Sequence, residues 1–133
     1  MKFMPNLEII ETIGTLEQRN KLIESLRSDK YIQHKHEMTD HRDFRRACCL
    51  QVAAIEVDGI KPKDAIYNNG RSAPTPKSLK VTSKFAETLQ NQPICYRYIN
   101  DSKEDFYPAE LNDDLMTHEQ IADILEGKEV ILD

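Results

Sequence analysis

Arg42-Asp43-Phe44-Arg45-Arg46-Ala47-Cys48-Cys49-Leu50-Gln51-Val52-Ala53-Ala54-Ile55-Glu56-Val57, closed by Asp58-Gly59, forms the middle of this 133-residue chain. Phe44, Cys48, Val52 and Ile55 recur at helical spacing, with Ala47, Leu50 and Ala54 beside them. That pattern predicts a helix over residues 42–57 with an apolar surface too wide for a half-exposed position, so it belongs at the centre of a core. Gly59 is the expected stop.

Upstream, residues 1–14 read as an extended arm or strand carrying Leu7, Ile9, Ile10 and Ile13. Thr15-Leu16-Glu17-Gln18 has the form of a capping box, opening a helix to about Ser28 with Leu16, Leu22, Ile23 and Leu26 on its apolar stripe. Residues 30–33 read as a short extended piece, and residues 34–41 as a polar loop. Downstream, residues 60–80 form a long loop marked by Pro62, Asn68-Asn69-Gly70, Pro74 and Pro76. A short helix opening at Thr82 or Ser83 buries Phe85, Ala86 and Leu89, and Pro93 ends it. Residues 94–99 read as a strand. Thr117-His118-Glu119-Gln120 is a second capping box, with Met116 placed to staple onto Ile121. Residues 129–132 close as a final strand, expected beside residues 94–99. The expectation is one small α+β domain over residues 1–133, helix-dominant, with a small sheet formed by C-terminal strands.

Composition bounds the function. Apolar residues make up 39% and charged residues 31%, a globular balance with no apolar run near a membrane-span length. The N-terminus lacks the apolar stretch of a secretory signal. Three cysteines, none in a Cys-x-x-Cys pair, suit a reducing compartment and exclude a zinc ribbon or thioredoxin-type site. A cytoplasmic protein is expected. The net charge of −5 is uneven: residues 61–84 carry six basic residues against Asp64 alone, and residues 100–133 carry eleven acids against Lys103 and Lys128. Mutual neutralisation of the two segments is the simpler explanation. Uniform coating of nucleic acid is not expected of an acidic chain.

Four groupings carry potential chemistry. Cys48 and Cys49, with Gln33 before and His118 after, resemble the order of papain-like enzymes. The spacing and the missing signature around the cysteine make a core role the better reading. His34, His36 and His41 could share a metal ion, yet the loop supplies no complete ligand set. Lys30, Tyr31 and Gln33, with Arg45, Arg46 and Arg71, offer a stacking face, an amide and phosphate-binding forks for a nucleotide-like ligand. Equally, Tyr31 and Gln33 could brace the loop between the first two helices by satisfying backbone groups. Asn112-Asp113-Asp114 reads as an Asx-type turn before the last helix. No motif implies a cofactor.

The segments Leu26-Arg27-Ser28-x-Lys30-Tyr31-x-Gln33, Cys48-Cys49-Leu50-x-Val52, Leu111-Asn112-Asp113 and Ile121-Ala122-Asp123 with Glu126 together resemble a group of small proteins encoded by bacteriophages. Two positions depart from that pattern: Asp29 and Gln51 stand where the group carries glycine. The resemblance implies a virus-encoded accessory protein acting in the host cytoplasm, and implies no reaction. The function expected is non-enzymatic: binding of a host defence or regulatory protein, with inhibition or modulation of it. Tyr67, Tyr96, Tyr98 or Tyr107 would serve as anchors. The alternatives are a nucleotide-binding module using Lys30, Tyr31, Gln33 and Arg71, and a cysteine-dependent hydrolase. Homo-oligomerisation is left open.

Overall fold

A computed structural model describes residues 1–37, 39–40, 42–65 and 82–133. Its first strand, β1 (Lys2–Pro5), places Phe3 fully inside, and a single helical turn, α1 (Leu7–Ile10), follows instead of a continued arm. The first long helix, α2 (Leu16–Arg27), begins as the sequence predicts: Thr15 accepts from the Gln18 amide, and Gln18 returns the bond to the Thr15 amide. Leu22, Ile23 and Leu26 are buried. Leu16, at the open end of the same stripe, is 65% exposed.

The predicted helix over residues 42–57 is two elements. Short strands β2 (Ile32–Gln33), β3 (Thr39–Asp40) and β4 (Asp43–Ala47) form a small sheet of order β2-β4-β3, parallel between β2 and β4. The chain turns at Cys48 into α3 (Cys49–Asp58), so Cys48 stands at the helix N-cap. Phe44 therefore lies on a strand and is 37% exposed, outside the buried face assigned to it from spacing. Its helical phase with Val52 is coincidental. Nothing in the local sequence marks the break, because Cys48 makes no side-chain capping bond. The core role of α3 stands: residues 49–54 are all buried. Gly59 ends it with φ +68°.

A short turn, α4 (Pro62–Ala65), leads to residues outside the description, which include most of the predicted 60–80 loop. Helix α5 (Lys84–Gln90) is capped by Ser83 and buries Phe85, Ala86 and Leu89. Then β5 (Cys95–Ile99) and β6 (Ser102–Phe106) form a hairpin through Asn100 and Asp101, both at positive φ as a type I′ loop requires. A helical turn, α6 (Pro108–Glu110), passes into a π-helical turn over Leu111–Leu115, and α7 (His118–Leu125) follows behind its predicted capping box. Finally β7 (Val130–Ile131) closes the larger sheet, of order β6-β5-β1-β7 and antiparallel throughout. β7 thus pairs with β1 rather than with β5, since β1 occupies the place between them.

The fold is α+β, with helices dominant around one core that joins Phe3, Leu22, Val52, Leu89, Ile94, Leu111 and Ile124. Among the described residues no helix is long and apolar enough to cross a membrane. Four acids of the C-terminal third have basic partners outside residues 61–84, and most of that basic segment lies outside the described residues. Arg27 holds Asp123 (2.6 Å) and Glu126 (2.7 Å), Lys2 holds Glu129, and Arg97 holds Glu104.

Candidate functional site

Two polar centres use the residues that sequence reading placed in a ligand pocket. At the first, Lys30 and the Tyr31 hydroxyl converge on one carboxylate of α3: Tyr31 donates to Glu56 Oε1 at 2.8 Å, and Lys30 Nζ lies 2.5 Å from the same oxygen. Burial, reinforced by Glu56, pushes the Tyr31 phenol well up from its ordinary value. Burial alone would raise the Glu56 carboxyl, but the bonds from Lys30 and Tyr31 hold it below its usual range.

The second centre lies against the π-turn. Gln33 Nε2 donates to the carbonyls of Asn112 (2.9 Å) and Met116 (2.8 Å), and its Oε1 accepts from the His118 amide at 3.1 Å. Asn112, fully buried, accepts from the Cys49 amide at 3.1 Å and donates to the His34 carbonyl at 2.8 Å. Asp113 accepts from the His36 amide at 2.8 Å. These bonds serve the helix ends: Asn112 caps α3, where Cys48 cannot, and Gln33 takes an otherwise open amide of α7. Asn112 is therefore a buried tie between distant segments, not a surface Asx turn. Gln33 acts as the brace that sequence reading held as its alternative. Tyr67 and Arg71 lie outside the described residues, and nothing joins them here to Lys30, Tyr31 and Gln33.

The nucleophile candidates are sealed. Cys48, Cys49 and Cys95 are free and buried. Burial pushes the Cys48 and Cys95 thiols up to about 12 and the Cys49 thiol well up too. At neutral pH all three stay protonated, the reverse of what an attacking thiolate needs. His118 is also buried; desolvation lowers its ring to about 4 against a bond to the Ala47 backbone. His34 sits 3.4 Å from Glu37, and His36 sits 3.8 Å from Asp113. Among the described residues no three His, Cys, Asp or Glu side chains are grouped to hold a metal, and His41 lies outside them.

The larger sheet offers a different kind of surface. Directly paired residues share a face, so Phe3, Pro5, Cys95, Phe106 and Val130 point into the core, and Lys2, Met4, Tyr96, Tyr98 and Ile131 point away from it. Tyr98 is 64% and Ile131 67% exposed. Tyr96 and Tyr98 meet edge to face at 5.8 Å, and Lys103 Nζ lies 4.6 Å above the Tyr96 ring. Lys2, Glu129, Lys103 and Asp105 surround this apolar strip with both signs of charge. Sequence reading had named Tyr96 and Tyr98 but missed Met4, Ile131 and the β6 strand. The signals were the alternation Lys2/Phe3/Met4/Pro5 and the Asn100-Asp101 turn. Comparison with protein-family models, curated proteins and solved structures gives no match for this chain.

Proposed function

We propose that this protein is a non-enzymatic accessory protein that binds a host defence or regulatory protein and alters its activity, in the bacteriophage setting that its sequence pattern implies. The observation that carries this reading is the outer face of the β6-β5-β1-β7 sheet, where Tyr98 and Ile131 remain exposed beside Tyr96 and Met4. Aromatic and aliphatic side chains inside a rim of mixed charge are the anatomy of a protein–protein contact. A phosphate ligand would call for concentrated positive charge, and the rim here is mixed. Among the described residues the candidate polar groups are otherwise engaged: Gln33 and Asn112 hold helix ends, Lys30 and Tyr31 hold Glu56, and the three thiols are buried.

The test is retention of a partner from host lysate on immobilised protein at several salt concentrations. A protein retained by the wild type should be lost with Tyr98→Glu and with Ile131→Glu, and kept with Lys35→Glu at an exposed position in the loop after β2. A partner held equally by all four, or none held at any salt concentration, would sink the reading.

A further inference from the structure

The β6 strand is an edge of the larger sheet, and Ser102, Lys103, Glu104 and Asp105 along it are all exposed. Its pairing with β5, from Ile99↔Ser102 to Cys95↔Phe106, determines what that edge offers. A two-residue hairpin loop closes on a hydrogen-bonded pair, and bonded and non-bonded pairs then alternate along the ladder. Ile99/Ser102, Arg97/Glu104 and Cys95/Phe106 are thus the bonded pairs. The N–H and C=O groups of Lys103 and Asp105 point the other way, towards solvent.

We infer that β6 is a self-pairing edge, joining a second copy of this chain antiparallel about a two-fold axis at Glu104. The charges select that register. Antiparallel self-pairing through Lys103 and Asp105 can centre on Lys103, on Asp105, or on Glu104 between them. The first sets Lys103 on Lys103 and the second Asp105 on Asp105. Only the third sets Lys103 opposite Asp105, on both sides of the axis, and opposite charges directly across a ladder are favourable where like charges are not. Each Lys103–Asp105 pair then exchanges both of its N–H···O bonds. Glu104 meets its own copy at the axis, and each carboxylate brings its own cation, because Arg97 Nε lies 3.1 Å from Glu104 Oε2. Charge on an edge strand ordinarily deters pairing with foreign strands. Here the same charges match one partner, the chain's own copy. The outer faces of both sheets would become continuous across the seam, bringing the Tyr96–Tyr98 pairs of both copies onto one surface. This inference concerns the purified protein alone and does not depend on the host-partner reading.

Sedimentation velocity over a range from low micromolar to several hundred micromolar tests it. The wild type should pass from monomer to dimer. Lys103→Asp and Asp105→Lys should each weaken self-association by at least about tenfold, since each replaces two attractive pairs by repulsive ones. An equimolar mixture of the two single variants should dimerise again, because each supplies the charge that the other has lost, and so should the double variant K103D/D105K. Circular dichroism melts on every variant separate a lost contact from a lost fold. A wild type that stays monomeric throughout would overturn the inference. So would single variants that dimerise as well as the wild type, or folded single variants whose mixture stays monomeric.

Discussion

Asn112 uses its amide from both ends, accepting from the α3 N-terminus and donating to the His34 carbonyl, with no exposure to water. Removing it strands both groups in the interior. Asn112→Ala should therefore lower stability by about 2–4 kcal/mol, read from urea unfolding, against a change below about 0.5 kcal/mol for the exposed neighbour Asp114→Ala. His118 gives the fold a pH dependence. Its ring titrates at about 4 when folded and at the ordinary 6.5 when released. Between those values the unfolded chain binds the extra proton, so stability is full above pH 6.5 and falls as the pH drops towards 4. The loss should reach at most about 3 kcal/mol, and a folded His118→Gln variant should lack this slope in denaturation curves taken across that window. Glu126, held at about 2 by bonds from Arg27 and Lys128, acts at lower pH and leaves the two effects separable. The burial of the thiols could be read from the sequence, because Cys48 and Cys49 sit among alanine, leucine and valine. Asn112 could not: an Asn-Asp-Asp run carries the composition of a turn, and the partners of its side chain, Cys49 and His34, are distant in sequence.

At the scale of elements, the helix starts were the most legible features, because a capping box is a local device whose partners lie three residues apart. The Thr15 and Thr117 boxes both form as read. The β4–α3 boundary escaped because both halves satisfy one helical period, and β6 escaped because Ser-Lys-Glu-Asp lacks strand composition. Gly14 and Gly59 show how one backbone state can serve two elements differently. Both have positive φ, but a Cβ on Gly14 would stand 2.5 Å from Gln18 Oε1 and 2.8 Å from the buried Phe85 ring, and one on Gly59 would meet nothing within 4 Å. Gly59→Ala should cost about 1 kcal/mol, the ordinary penalty for a left-handed residue. Gly14→Ala should cost about 2 kcal/mol more, since the capping Gln18 side chain and the Phe85 ring must give way as well. Thermal melts of the two variants side by side check the difference.

On the scale of the molecule, the α+β class and the central place of α3 were readable from periodicity, but strand order was not. β7 was expected against β5, and β1 fills that space instead. Only tertiary packing supplies this, through Phe3, which meets Phe106 edge to face at 5.2 Å beneath the Arg97 guanidinium. Phe3→Ala should cost about 3–5 kcal/mol in urea unfolding, as befits a fully buried aromatic. The position of β1 has a further consequence, in time instead of space. During synthesis Met4 must wait for Tyr96, and Phe3 for Val130, before either finds its neighbour. Strand β1 leaves the ribosome with no partner in place, and the sheet it joins is completed by β7 only after translation has passed every described helix.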